Sequence, residues 1–410
     1  MSLKIEIKTD TPGLTDVNGF RLNAVACDVR QRGNEQLDLG IIFSKEPCSA
    51  AGVFTKNDIF AAPVRLCRER FKISREPRYH GIVANSGNAN ACTGEQGYED
   101  AKAMAALAAG VCQVPENSFF VASTGRIGVA LPMEKIRDGI ATCGRGLERD
   151  SAFGHAFAQA ILTSDTKQKT VTAHCSLGKK TFTVAGVAKG AGMIQPNMAT
   201  MLAFLATDIK IGQATLQGIL NSSTNASFNR ISIDGDMSTN DTVLVLANGL
   251  SRIIAEDDAA VLDAFRQAVG RVCQILAEMI VGDGEKITHV IELKVEKARD
   301  PESAEKVARA IANSLLVKAS WYGEDPNWGR LLDAAGYAGA AIEEHRIDLL
   351  YGDIPALTSG RSHPENKPQW KQVVSQPRFN ITLRLNQGNA AFSILTTDLT
   401  EAYVNYNKSE

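Results

Sequence analysis

The 410-residue chain has little that would tie it to a membrane, a nucleic acid or a metal. Its opening, MSLKIEIKTDTPG, has no apolar core, so no secretory signal is expected. Nowhere do about 18 apolar residues run together, and no membrane-spanning helix is expected. Lysine plus arginine (44) nearly balances aspartate plus glutamate (46), and a formal charge of −2 favours neither nucleic acid nor an anionic surface as partner. The eight cysteines, at 27, 48, 67, 92, 112, 143, 175 and 273, include no Cys-x-x-Cys pair. In so long a chain they read as reduced thiols of a cytosolic protein, not as a disulfide framework or a zinc site. The six histidines show no HExxH or other close metal-ligand spacing. No repeat of about 20–50 residues and no long low-complexity stretch is visible.

What is present is a globular composition, 44% hydrophobic and 22% charged, in a chain long enough for two lobes. In the first 200 residues, short apolar runs ("HGIVAN", "SFFVAST") alternate with alanine-rich helical stretches ("AKAMAALAAGVC"). Further on, "VLDAFRQAVGRVCQILAEMI" places Val261, Phe265, Ala268, Val272, Ile275 and Met279 on one helical face, with a cap signal at Asp257–Asp258 and a stop at "VGDG". "THVIELKVE" reads as a strand, and "DPESAEKVARAIANSLL" as a helix capped by Asp300 with Pro301 in its first turn. "FNITLRLNQGNAAFSILTTDL" alternates and turns like a hairpin. The mixture predicts an α/β (α+β) fold: a layered sandwich of sheets covered by helices, in two lobes, with a junction in the glycine- and proline-rich stretch 186–200.

Several motifs fail on inspection. "DGDMSTND" (234–241) has oxygen ligands at alternate positions, but Thr239 and Val245 stand where a calcium loop needs Gly and Glu. "KGAGMI" has Gln195 in place of the third glycine of a dinucleotide loop, and "SLGKKTF" lacks the first glycine of a phosphate loop. There is no GxSxG. Left over is "KGAGMIQPNMATMLAF" (189–204), a glycine- and proline-punctuated approach to one small hydroxyl residue, Thr200. A threonine becomes a useful nucleophile when its own α-amino group is free to act as base, which requires cutting the Ala199–Thr200 bond. The hydroxyl can make that cut itself by attacking the preceding carbonyl. Glycine and proline turns can hold such a strained peptide, and an alanine before the threonine leaves room for the attack. Lys189 would serve to hold a substrate carboxylate or to tune the new amine. The other reading of the stretch is a plain buried loop.

This junction resembles that of the ornithine acetyltransferases, the glutamate N-acetyltransferases of the cyclic arginine pathway. The resemblance runs from about residue 10 to the end through "GVFTKN" (52–57), "AAPV" (61–64), "NSGNANACTG" (85–94), "STGRIG" (123–128), "SFNRISIDGDMSTNDT" (227–242) and "DPNWGR" (325–330). It implies self-cleavage at Ala199–Thr200 into fragments 1–199 and 200–410 that stay associated, as a pair of protomers. It also implies ping-pong transfer of acetyl from N2-acetylornithine to glutamate, with Thr200 as nucleophile and its free amine as general base. Thr124 and Gly125 fall on the oxyanion-stabilising positions. Thr163 in "ILTSDT", Lys189, Glu285 and Asn407 fall on substrate-binding positions, and "SFNRISIDGDMSTND" on supporting ones, with structural and functional roles both open for Asp234 and Asp236. No resident cofactor or metal is implied, and acetyl-CoA is left open as a second donor.

The chain departs from the family pattern at Lys286, Ile287, Thr288 and His289, where Gly-Ala-Thr-Lys is usual, and at Ala319, where threonine is usual. Arg126 replaces an apolar residue, and the tail stops before the family's final hydroxyl residue. The Lys-Ile pair is expected to crowd the turn and to add a charge beside the amine pocket. Two other readings therefore stand: the same machinery on another amino acid or acyl group, and a non-catalytic relative.

Overall fold

The computed structural model describes residues 3–33, 35–73, 78–195 and 201–408. The chain divides into two compact units. The first holds Met1–Gly190, Asn197–Asn229 and Met237–Ile280; the second holds Ala191–Pro196, Arg230–Asp236 and Val281–Glu410. The two lobes expected from the sequence are present, but their boundaries do not follow residue 199. Sequence on both sides of it builds the first unit.

Among the described residues, nine strands form the sheet of the first unit: β1 (Leu3–Thr9), β2 (Phe20–Val25), β3 (Leu39–Phe54), β4 (Tyr79–Asn85), β5 (Phe119–Ser123), β6 (Lys169–Leu177), β7 (Lys180–Lys189), β8 (Leu202–Thr207) and β9 (Thr242–Ala247). Their order is β1-β6-β7-β8-β9-β3-β4-β5, with β2 pairing on β3. The long β3 joins two parts of this sheet. Leu39–Ser44 pair with β2, Leu39–Phe43 and, past the register break, Cys48 with β4, and Ser49–Phe54 with β9. The predicted apolar runs are β4 and β5, both buried end to end. The alanine-rich stretch is the helix Gly94–Cys112, whose Ala101, Met104, Ala105 and Ala108 pack with Val83 and Phe119. On another core of the unit, Phe20, Tyr79, Phe120, Phe157 and Phe204 come together.

The long helix Ala259–Val281 begins where expected, with Asp258 Oδ1 accepting the Ala260 N–H at 3.0 Å. Its buried face drifts from the predicted one. From Val272 on the buried face shifts by one residue, with Leu276 and Ile280 buried in place of Ile275 and Met279. The helix lies directly on β7: a Cβ on Gly186 would meet Leu276 Cδ1 at 2.8 Å and Val272 Cγ1 at 2.9 Å. Glycine is what lets these elements approach, and β7 ends at Lys189.

In the second unit, among the described residues, six strands form one sheet: β10 (Val290–Ala298), β11 (Asp348–Tyr351), β12 (Ile354–Thr358), β13 (Arg361–Ser362), β14 (Arg378–Arg384) and β15 (Ala390–Thr397), in the order β13-β12-β11-β14-β10-β15. The predicted hairpin is corrected here. β14 and β15 do not pair; β10 lies between them, parallel to β14 and antiparallel to β15. The local alternation is right, but β10 offers a nonlocal apolar strand that a two-stranded pairing cannot match. Helix Pro301–Asn313 is capped by Asp300, which accepts the Ser303 N–H at 2.8 Å. It breaks at Ser314, which caps the next helix, Leu315–Tyr322, so the predicted single helix is two. Val307, Ala308 and Ile311 share a core with Ile291, Leu293 and Trp321.

Both units are mixed α/β sheets with helices packed on them. Among the described residues, no helix is long and apolar enough to cross a membrane. All eight cysteines are free thiols.

Candidate active site

β5 runs out at Ser123 into the "STG" turn, and the asparagine-rich loop beside it forms a frame. The Thr124 N–H donates to the Asn85 carbonyl (3.0 Å), and the Ser123 hydroxyl to Asn85 Oδ1 (2.6 Å). Asn85 Nδ2 donates in turn to the Asn88 carbonyl (2.9 Å). Thr124 is buried. Gly125 has φ +133°, and a Cβ there would lie 2.4 Å from the Gly87 carbonyl carbon and 2.5 Å from the Asn88 nitrogen. No other residue fits at 125, so the glycine of "STG" is required by a backbone-on-backbone contact, while Gly87 of "NSGNA" has φ +88° and would carry its Cβ into Arg30. The polar residues of these motifs, which look like turn formers in the sequence, are spent on holding that contact.

Lys189, at the end of β7, is almost fully buried, and its Nζ donates to Thr163 Oγ1 at 2.7 Å. Asp165 organises the surroundings. It accepts from Lys169 Nζ (2.7 Å), from the Gly190 N–H (2.6 Å) and from the Thr163 N–H (3.2 Å), and stands 3.6 Å from Lys189 Nζ. Burial disfavours its charge, yet Lys189 and Lys169 outweigh burial and hold the carboxyl below the usual carboxylate range. Two buried ammonium groups thus lie on one buried carboxylate. Leu162 and Thr163 line a small cavity of about 20 Å³ with Arg30, Ser86 and Gly87. That cavity puts Thr163, the partner of Lys189, next to the glycine on which Gly125 rests. Asp165 and Lys169 were not singled out from the sequence; the "TSDT" turn, with its aspartate two residues after Thr163, was the available signal.

The strand after the junction is fixed as firmly. β8 pairs with β7 antiparallel, Leu202 opposite Lys189, and with β9 in parallel. The Met201 N–H donates to Asp241 Oδ1 (3.0 Å). Asn240 Nδ2 donates to the carbonyls of Ala89 (2.6 Å) and Ser123 (2.8 Å). The consecutive residues Asn240 and Asp241 therefore tie the "STG" turn to the start of β8. Ala199 and Thr200 lie outside the described residues.

In the second unit, Glu285 and Asn407 come together, Asn407 Nδ2 donating to Glu285 Oε2 at 3.2 Å. The Glu285 N–H donates to the Ala191 carbonyl (2.8 Å), and a Cβ on Gly192 would meet the Glu285 carboxylate at 2.4 Å. The glycine of "KGAGMI" thus makes room for an acid, not for a phosphate. Asp234 accepts the N–H groups of Met193 (2.5 Å) and Ile194 (2.8 Å), and the Tyr403 hydroxyl reaches it at 3.3 Å. Its carboxylate is occupied with the backbone of the chain approaching the junction, which is a supporting role. Burial raises Asp234 above the ordinary carboxylate range in spite of these donors.

Of the departures, Lys286 is exposed, with Nζ 5.1 Å from the centre of the Tyr406 ring. Its φ of +55° is a conformation glycine adopts without strain, which accounts for a glycine at this place in the family pattern. His289 and Thr288 gather on Asp398, with His289 Nδ1 3.1 Å from its Oδ2. Ala319 is exposed, and Arg126 donates to the Arg30 carbonyl (3.0 Å).

Residues 21–409 match the model of the ArgJ family. A Thermotoga neapolitana protein called arginine biosynthesis bifunctional protein ArgJ is 43% identical over 395 residues, covering 95% of this chain and 98% of its own. The protein of that name from Symbiobacterium thermophilum is 42% identical over 400 residues, 97% of this chain and 98% of its own. Among solved structures, an ornithine acetyltransferase from Mycobacterium tuberculosis in complex with ornithine is 32% identical over 47% of this chain and 98% of its own, with a TM-score of 0.43. On the family match and these identities over nearly its whole length, the chain belongs to the ArgJ family.

Proposed function

We propose that this acyltransferase moves an acetyl group from N2-acetylornithine to glutamate through an ester on Thr200, after cutting itself between Ala199 and Thr200. In the self-cleavage, the Thr200 hydroxyl attacks the Ala199 carbonyl, the C–N bond breaks, and the nitrogen takes the proton. Water then hydrolyses the ester and frees the hydroxyl and the amine. In turnover, the free amine takes the hydroxyl's proton as the oxygen attacks the acetyl carbonyl, and returns it to the departing ornithine nitrogen. Glutamate's amine reverses these steps and carries the acetyl group away. The Thr124 hydroxyl and the Gly125 N–H are the donors for the tetrahedral oxygen, worth about 3 kcal/mol each in such sites. Lys189 and Thr163 are assigned to the substrate's α-carboxylate, and Glu285 with Asn407 to its positive amine. The reaction needs no resident cofactor, and acetyl-CoA as a second donor is decided by assaying it with glutamate alone. The fragments 1–199 and 200–410 stay together because β7 and β8, one from each, pair in the same sheet. A paired assembly of protomers and a cytosolic setting belong to the same proposal.

The observation that carries this reading is Lys189: a buried ammonium beside a carboxylate and bonded to a hydroxyl, directly across the strand pair from Leu202, in a chain of this family. A second reading, transfer to or from another amino acid, draws on Lys286 over Tyr406, next in sequence to Asn407. The test is intact mass in denaturant with an ornithine-release assay, for wild type and Thr200→Ala. Scaling 44.0 kDa by length, wild type should yield fragments of about 21 and about 23 kDa. Thr200→Ala should stay whole and release no ornithine. A wild type that stays whole and inactive leaves the fold as a non-catalytic relative; one that splits but ignores acetylornithine favours the second reading.

A further inference from the structure

Arg30 lines the cavity of about 20 Å³ beside Thr163, and no step above uses it. Its stem rests on Gly87, where a Cβ would lie 2.6 Å from Arg30 Cγ. Its backbone is pinned on both sides: the Val29 N–H donates to Asp38 Oδ2 (2.6 Å), and the Arg30 carbonyl accepts the Arg126 guanidinium (3.0 Å). The guanidinium of Arg30, by contrast, has no hydrogen-bond or ion-pair partner among the described residues. Two carboxylates neighbouring it in the chain are committed elsewhere. Asp28 is bonded to Lys135 Nζ (2.8 Å), and Asp38, which shares the cavity, accepts the N–H groups of Cys27 (2.8 Å) and Val29. Two hydroxyls lie in the same lining. Ser86 is 4% exposed, and its hydroxyl has no partner among the described residues. Thr163 Oγ1 accepts from Lys189 Nζ and so keeps its own hydrogen to give. A wall with donors in surplus suits an anion, and the space admits roughly one water-sized group, the end of a carboxylate.

We propose that Arg30, with Ser86, receives the side-chain carboxylate of the acceptor amino acid. The inference rests on the acetyltransfer reading above. In a ping-pong reaction two amino acids occupy one site in turn, and here their side chains differ in sign: ornithine's is a cation, glutamate's an anion. Both bring an α-carboxylate, already assigned to Lys189 and Thr163. Only the acceptor brings a second carboxylate, and Arg30 is a second cation on the cavity that Thr163 lines. A guanidinium grips a carboxylate through two parallel hydrogen bonds and repels an ammonium, so it selects for the acid without helping the base.

The experiment measures kcat/KM separately for N2-acetylornithine, glutamate and glutamine, which has glutamate's shape without its charge, in wild type, Arg30→Gln and Arg30→Lys. In a ping-pong reaction kcat/KM for each substrate reports only its own half of the cycle. Arg30→Gln should lower the value for glutamate about 30-fold, through KM, and shrink the preference for glutamate over glutamine by a similar factor. The value for N2-acetylornithine should stay within about threefold of wild type. Arg30→Lys keeps the charge without the fork and should fall between the two. Should Arg30→Gln not fold, Ser86→Ala should show the same split at about fivefold. The inference is overturned if both substrates weaken equally, which would place Arg30 on the shared α-carboxylate or in the framework, or if the preference for glutamate over glutamine is unchanged. A wild type that moves no acetyl from N2-acetylornithine to glutamate overturns the acetyltransfer reading and this inference with it. A working wild type beside an Arg30→Gln variant with the same preference overturns the role of Arg30 alone.

Discussion

Both units bury lysines, and Lys189 and Lys318 are treated differently. In the first, Lys189 lies beside the ionised Asp165, which also serves Lys169 and the backbone of Gly190 and Thr163. In the second, Lys318 donates to neutral acceptors, the Thr396 hydroxyl (2.9 Å) and the Thr397 carbonyl (2.6 Å). Burial pushes Lys318 down to about 7, with Asp234 and Asp398 opposing only in part. A carboxylate bonded to a buried ammonium offsets its desolvation, whereas neutral hydrogen-bond acceptors with carboxylates farther off offset it only in part. The first arrangement is the one proposed above to meet an anion; the second is a hydrogen-bonding strut within a core.

The sharpest way to break this contrast is to remove Asp165. Asp165→Ala leaves Lys189 and Lys169 buried without their carboxylate and should cost about 3–5 kcal/mol of stability at pH 7, read by urea unfolding. Because the folded carboxyl sits below its unfolded value, its contribution is present above about pH 4 and is lost as pH falls further. Wild type and variant should therefore converge in acid. Lys318 titrates the other way. Between about pH 7 and 10 the unfolded chain holds a proton at this lysine that the folded chain has lost, so stability rises with pH by about 1.4 kcal/mol per unit. Lys318→Met should remove that slope, which denaturant unfolding across the range would show. The smallest effect is expected at Glu285, proposed above to meet the substrate's amine. Glu285 is only half-buried and shares its carboxylate with Asn407, so Glu285→Gln should raise KM for acetylornithine about tenfold, with kcat changed less. A fall in kcat with KM unchanged would place Glu285 in the chemistry, not in binding.

Legibility followed the range of the interactions. Thr163 and Lys189 were singled out in the sequence, and they are bonded to each other; Glu285 and Asn407 likewise. Asp165 and Asp241 were passed over, because a short-chain acid in "TSDT" or "STND" looks like a turn residue until its partners, 24 or 40 positions away in the chain, are in place. The hairpin error has the same origin. Alternation in 378–397 specifies two strands, and only the arrival of β10 decides that they flank a third.

The sequence by itself determined the element types, the caps at Asp258 and Asp300, the family, and the residue types at the site, since periodicity, capping and motif spacing are local properties of the chain. Tertiary structure decided which residues share the first unit across the 199–200 boundary, which face of the long helix is buried, and which carboxyls are charged. Those outcomes depend on burial and on partners distant in sequence, and the energy of a buried charge is set by what surrounds it rather than by what precedes it in the chain.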